Sequence, residues 1–379
     1  MGELISSKGK VSNGINTISL INQLESSEYL QELMLHTQQN ERNYKSEFDG
    51  FTDLEMIYYY VQRKTHIRKE RNKTISTKRE YLRTLIQFYQ YIFNHHEFLK
   101  VDVNDFNEKE GFKNLRPRHI TNFHKYLSTA SLGKKGRPYT PATIQSKSAV
   151  IKAFLRWLHE CDYIEYPLHE KIINTSISDS EIPNKDFYPE EAFLIINYYK
   201  NHPINYALFT TLMITGLRIT ELAKAKWKEV SYDASTNAYW IEGIGKRNKR
   251  FLKRISPVYF ERIKGSRLRR KLSITLSKTD ESPIFADRNQ KHYSTKNLSN
   301  YIVKVILDSN LPFLEGRENR ITPHSFRHAY AIYLYRQGAD LFTIQKELGH
   351  SDPKTTERYL EKAVRMENSP GYFISDNAF

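Results

Sequence analysis

The chain has 379 residues; at about 100 to 200 residues per domain, that length predicts two or three domains, each large enough for its own core, and excludes one small module. Lysine and arginine number 58 against 43 acidic residues, a formal charge of +15, while 39% hydrophobic and 13% aromatic residues exclude a disordered basic tail, so a polyanion, and nucleic acid first, is the expected partner. The single cysteine, Cys161, excludes an intramolecular disulfide and a thiolate zinc site, and no apolar run approaches the roughly 18 residues of a membrane span.

The N-terminus has no apolar signal core, which predicts a soluble, unsecreted, cytoplasmic protein; the formal myristoylation pattern through Gly2 and Ser6 is short enough to arise by chance. Residues 1–45 are polar apart from Leu20, Leu24, Leu30, Leu33 and Leu35, and read as a loosely attached N-terminal arm. A 3.6-residue apolar period then marks four helices within 46–174. The first carries Leu54, Ile57, Tyr58 and Val61, and the second Leu82, Leu85, Phe88, Tyr89 and Ile92. A third begins after Pro117, and a fourth near Pro141 runs through Ile144, Ile151, Leu155 and Leu158. Four such helices make a small bundle.

Between the third and fourth helices lies a turn-forming loop with Lys134, Lys135 and Arg137 and no anion. On the fourth helix Gln145, Ser148, Lys152 and Arg156 recur at steps of three and four, which predicts a shared polar face. In a chain of charge +15 the loop and this face are expected to contact DNA. Residues 175–187 lose periodicity and gather turn formers, a linker to a second domain at 188–379.

That second domain reads as helices over 189–199, 206–214 and 219–227, then changes to a period of two. Strands at 238–242 and 251–256 flank a polar, cationic tip at 243–250, a β-hairpin. Helical patterns resume at 259–272 and 296–307 and fill the remainder, so the fold class is mainly α, with a helical bundle followed by a mostly helical domain holding a small sheet. The segment Thr322-Pro323-His324-Ser325-Phe326-Arg327-His328 opens a helix, with His324 and Arg327 on one face of its first turn, where an anion is favoured. His324 and His328 have the spacing of helical zinc ligands, but Ser325 stands where the metalloprotease pattern needs glutamate, and no metal is expected.

Four motifs follow in order: Thr215-Gly216-Leu217-Arg218-Ile219-Thr220-Glu221-Leu222, the His324/Arg327 turn, Leu348-Gly349-His350-Ser351, and Thr355-Thr356-Glu357-Arg358-Tyr359-Leu360, with nine residues from His350 to Tyr359. In these the sequence resembles the tyrosine recombinases, the phage-integrase and Xer-type site-specific recombinase family, across the whole second domain; the helical bundle resembles that family's core-binding domain. The resemblance implies Arg218 and Arg327 as phosphate-binding arginines, Glu221 as their acidic brace, His324 as proton acceptor, His350 as hydrogen-bond donor to the phosphate, and Tyr359 as nucleophile. Lys246 matches the hairpin lysine that protonates the departing 5′ oxygen, although Gly245-Lys246-Arg247 departs from the usual Gly-Lys-Gly and Lys249 lies close by.

The implied reaction is cleavage and rejoining of DNA through a 3′-phosphotyrosyl link, with no ATP, metal or nucleotide cofactor, on duplex DNA with paired sites bound by a homotetramer. A type IB topoisomerase would share the tyrosine chemistry but rejoin the same strand, and a decayed scaffold would only bind DNA. The short Thr355 to Leu360 approach to Tyr359 and the Xer-like motifs disfavour the first, and the intact set of residues disfavours the second. After Tyr359, Pro370-Gly371 breaks the helical pattern before Tyr372, Phe373, Ile374 and Phe379, a tail expected to dock on its own domain or on an adjacent protomer.

Overall fold

The computed structural model describes residues 17–95, 97, 107–173, 187–245, 248–350, 352–367 and 369. The chain divides into two units between Ile182 and Pro183, within the segment read as a linker, most of which lies outside the described residues, as does the C-terminal tail from 370 onward.

In the first unit the helices are α1 (Thr17–Glu25), α2 (Leu30–Arg42), α3 (Asp53–Gln62), α4 (Ile75–Asn94), α5 (Pro117–Thr129) and α6 (Pro141–Glu160). Each of the last four starts on a recognisable signal. Thr52 and Glu55 exchange a capping box at α3, Thr74 and Thr140 accept from the third residue of α4 and α6, and prolines open α5 and α6. Their periodic apolar residues meet in one core that includes Ile57, Leu85, Phe88, Phe123, Phe154 and Leu158.

The loosely attached arm is a correction. Helices α1 and α2, with the N-cap residue Tyr29 of α2, contribute Ile21, Leu24, Tyr29 and Leu33 to the same core. Gln62 Nε2 donates to the Leu24 carbonyl at 2.6 Å, and Tyr58 Oη donates to that of Ser26 at 2.8 Å. Four buried apolar side chains suffice to anchor two otherwise polar helices, whereas Leu35 stays exposed.

The second unit is built around α8 (Pro203–Thr215), which follows α7 (Pro189–Tyr198) and packs against α7, α10 (Pro257–Arg269) and α12 (Pro323–Arg336). Residues 204–215 of α8 are apolar or small on nearly every side, and Leu208, Phe209, Leu212 and Met213 are buried. Gly216, at φ +57°, ends it; a Cβ there would run into the Tyr330 ring. The chain then enters α9 (Ile219–Lys224), shorter than the helix expected at 219–227, because Ala225 and Lys226 are extended and a separate 3₁₀ turn holds Trp227–Glu229.

An antiparallel sheet of order β1-β2-β3 comprises Val230–Asp233, Ala238–Ile244 and Arg250–Ile255. Ile241 pairs with Val230 on one side and Lys253 on the other. The hairpin was legible in the sequence; β1, four residues long, was not. Helices α11 (Thr295–Asp308), α12, α13 (Leu341–Leu348) and α14 (Pro353–Glu367) complete the unit. No helix among the described residues is long and apolar enough to cross a membrane.

Candidate active site

Arg218 is the N-cap residue of α9, so Glu221, three residues on, reaches back to it. Glu221 Oε2 accepts from the Arg218 backbone N–H and Oε1 from Nη1, both at 2.8 Å, with Glu221 buried. The carboxylate thereby fixes one edge of the guanidinium. Nη2 on the other edge donates to the carbonyls of Leu348 at 3.3 Å and Gly349 at 3.2 Å.

Arg327 approaches the same place from α12 and is 2% exposed. It donates to the Gly216 carbonyl at 2.6 Å through Nη1 and to the Leu348 carbonyl through Nη2. Two arginines 109 positions apart in the chain therefore converge on one carbonyl at the C-terminus of α13, the negative end of its dipole. Gly349, at φ +60°, turns the chain out of α13 into His350.

The His350 Nδ1 lies 2.9 Å from the Thr356 Oγ1, and Thr356 is fully buried on α14. Tyr359 lies one turn farther along that helix. Burial pushes the His350 imidazole down to about 4, and Arg327, Arg218, His324 and Lys249 add repulsion, so the ring is neutral at pH 7. A ring-resonance NMR titration of the DNA-free protein should accordingly place His350 well below 6.5, near 4; a midpoint at the ordinary histidine value would separate it from the cationic cluster.

The structure thus brings Arg218, Glu221, Arg327 and His350 together, with His324 and Lys249 close enough to act on the His350 charge. Lys246 and the side chain of Tyr359 lie outside the described residues. The hairpin base is described. Gly245 N–H donates to the Lys249 carbonyl at 2.7 Å, and a Cβ on Gly245 would lie 2.5 Å from Glu221 Oε1.

This close approach explains the glycine. Gly245→Ala must displace either Glu221 from Arg218 or the hairpin from its place, and a shift of that size is expected to slow the DNA cleavage that the sequence resemblance implies about 10²-fold with DNA binding kept. Single-turnover formation of a covalent protein–DNA complex would measure it.

Residues 185–366 match the model of the phage integrase family. The chain belongs to that family. It is 27% identical over 335 residues to the tyrosine recombinase XerC of Syntrophus aciditrophicus, covering 84% of this chain and 92% of the relative. Among solved structures, the family's fold is shared with the XerH site-specific recombinase bound to palindromic difH substrate, at TM-score 0.58 and 16% identity over 93% of this chain and 96% of that one. It is shared too with a lambda integrase tetramer bound to a Holliday junction, at TM-score 0.54 and 15% identity over 80% and 79%.

In this integrase-family chain the expected DNA face of the first unit needs one correction. Lys135, Arg137, Gln145 and Arg156 are exposed and Lys152 half-buried, while the Lys134 side chain lies outside the described residues. Ser148, however, is only 4% exposed. At about 100° per residue it falls about 60° off Gln145 but only about 40° from Ile144, which puts it on the apolar side of α6.

The first unit also has a cationic patch that the sequence reading missed. The Arg63 guanidinium lies 4.3 Å from the Trp157 ring centroid and the Lys73 ammonium 5.2 Å from that of Tyr60. Lys78 donates to Gln62 Oε1 at 2.8 Å and Lys73 to the Tyr60 carbonyl at 3.4 Å. These partners are neutral, and burial with repulsion from Arg63 and Lys78 pulls the Lys73 ammonium down to about 8. Arg63 caps the C-terminus of α3, Lys73 precedes α4 and Lys78 lies in the first turn of α4, so the three cations show no single-helix spacing.

Proposed function

We propose that the chain is a site-specific DNA recombinase that exchanges strands through a covalent phosphotyrosyl intermediate. The observation that carries this reading is the convergence of Arg218 and Arg327 on the Leu348 carbonyl, with His350 two residues farther on. Two planar, permanently charged forks directed at one point suit the nonbridging oxygens of a phosphodiester and the extra charge of its pentacoordinate transition state.

Tyr359 attacks the phosphorus, its oxygen bonding to the 3′ side while the bond to the 5′ oxygen breaks. His324 takes the phenolic proton, and Lys246, or Lys249 beside it, gives a proton to the 5′ oxygen. The neutral His350 donates from Nε2 to the phosphate, with Nδ1 facing Thr356. One phosphodiester is exchanged for another of similar energy, so a second strand's 5′ hydroxyl reverses the step and no ATP or metal is needed.

In the first unit Lys135, Arg137, Lys152 and Arg156, joined by Arg63, Lys73 and Lys78, bind backbone phosphates, and phosphate would restore the depressed basicity of Lys73. Paired sites brought together by four protomers are the matching assembly, since the XerC relative carries the recombinase name and the lambda integrase neighbour is a tetramer on a Holliday junction.

The test is to express the chain, arrest its reaction with denaturant, recover DNA bonded to the protein and sequence the junctions. Recovery at one recurring sequence is the expected result. Scattered junctions together with relaxation of any supercoiled plasmid would identify a topoisomerase instead, and absence of an adduct would overturn the catalytic reading.

A further inference from the structure

The inward face of β3 carries Phe251, Lys253 and Ile255, and the middle residue of this series is a lysine only 3% exposed. Its Nζ donates to the Glu347 carbonyl at 2.5 Å and to Glu347 Oε1 at 2.6 Å. Tyr330 Oη donates to the same carboxylate oxygen at 3.1 Å. A buried ion pair is a weak source of stability, because an apolar pair of similar volume fills such a place without the cost of desolvating two charges. Geometry accounts for it better.

Glu347 belongs to the last turn of α13 and immediately precedes Leu348, whose carbonyl receives both arginines. Three successive carbonyls, of Glu347, Leu348 and Gly349, are thus held by Lys253, by Arg327 with Arg218, and by Arg218 again. Lys253 is also three residues from the start of β3, where the hairpin tip begins, and the tip's Gly245 abuts Glu221. The contacts form a closed circuit. It runs from Arg218 through Glu221 and Gly245 to Lys249, along β3 to Lys253, and across to Glu347 and the Leu348 carbonyl that returns to Arg218.

We propose that Lys253 and Glu347 are positioning residues for strand cleavage, a clasp that fixes the hairpin strand against the turn on which the two arginines converge. The proposal rests on the recombinase reading above. Lys253 touches no reacting atom in this account; it acts by holding Leu348 and the hairpin tip at a set separation, and the loss of a fraction of an ångström there reaches both the phosphate clamp and the lysine that protonates the leaving oxygen.

The test uses the full chain and the duplex recovered from its own covalent complexes. Lys253→Met is expected to bind that duplex within about twofold of the parent, to cleave it at least about tenfold more slowly, and to exchange the backbone amides of residues 348–350 at least about tenfold faster. Lys253→Arg, which can still reach the carbonyl and the carboxylate, should recover most of the rate. Glu347→Gln keeps the shape and removes only the charge, and it carries the same measurements if Lys253→Met does not fold.

Cleavage at the parental rate by a folded Lys253→Met protein would overturn the clasp, as would a fall in cleavage that follows only a general loss of stability, with no local change in exchange. If the parent forms no adduct with any DNA, the recombinase reading fails, and unaltered exchange at residues 348–350 in Lys253→Met would separately overturn the clasp.

Discussion

Tyr359→Phe is expected to bind DNA as the parent does and to form no covalent complex with it. The substitution removes one oxygen and preserves the ring, so α14 should keep its place through Thr356 and Leu360, both buried against the rest of the unit. What is lost is the atom proposed to bond to phosphorus. Loss of a nucleophile commonly costs about 10⁴-fold or more, and here no adduct can arise by another route unless a second tyrosine substitutes. With 26 tyrosines in the chain that possibility is worth a control. Tyr330 is buried and donates to Glu347, and burial pushes its phenol well above the usual range, so it is unsuited to attack. The measurement is a denaturant-resistant protein–DNA band; an adduct from Tyr359→Phe above about 10⁻³ of the parental yield would move the nucleophile elsewhere.

Much of this site was readable from the chain because its parts are short motifs whose local structure is self-determined. Gly216 stops an apolar helix and leaves Arg218 to cap the next, and Pro323 sets the first turn that carries His324 and Arg327. Gly349 breaks α13 just before His350. What could not be read was how these motifs meet. Nothing in the sequence says that the Leu348 carbonyl is shared or that Gly245 is small because Glu221 lies against it, since those contacts join elements well separated in the chain, and Thr356 faces His350 only because the turn after α13 folds α14 back toward it. Lys253 is a different case, for its position between Phe251 and Ile255 on the inward face of a strand was a visible signal of a buried charge. The first unit shows the limits of period counting. Steps of three and four grouped Ser148 with Gln145, although the buried face was nearer, and a polar composition concealed the four side chains by which α1 and α2 join the core.

Arg327→Lys is expected to abolish most cleavage although it conserves the charge. The guanidinium is buried and spans two carbonyls, that of Gly216 at the end of α8 and that of Leu348 at the end of α13. It therefore joins the turn that carries Arg218 to the turn that carries His350, and in the proposed reaction it also binds the phosphate. A lysine ammonium is a compact point charge on a flexible stem; it can serve one of those carbonyls or the phosphate, and it cannot present two parallel donors. The carbonyl left behind is buried, at a cost of about 1–3 kcal/mol in stability, which a melting experiment would register. The catalytic loss should be larger, because one clamp on the developing phosphorane charge is removed, an effect of about 10²–10³-fold in comparable sites. Duplex binding depends mostly on the many backbone contacts of a basic protein and should change little. Single-turnover cleavage and duplex affinity measured on the same preparation decide the matter. An Arg327→Lys protein that cleaves within a few-fold of the parent would mean that Arg327 only supports the fold, and that Arg218 with His350 suffices to hold the phosphate.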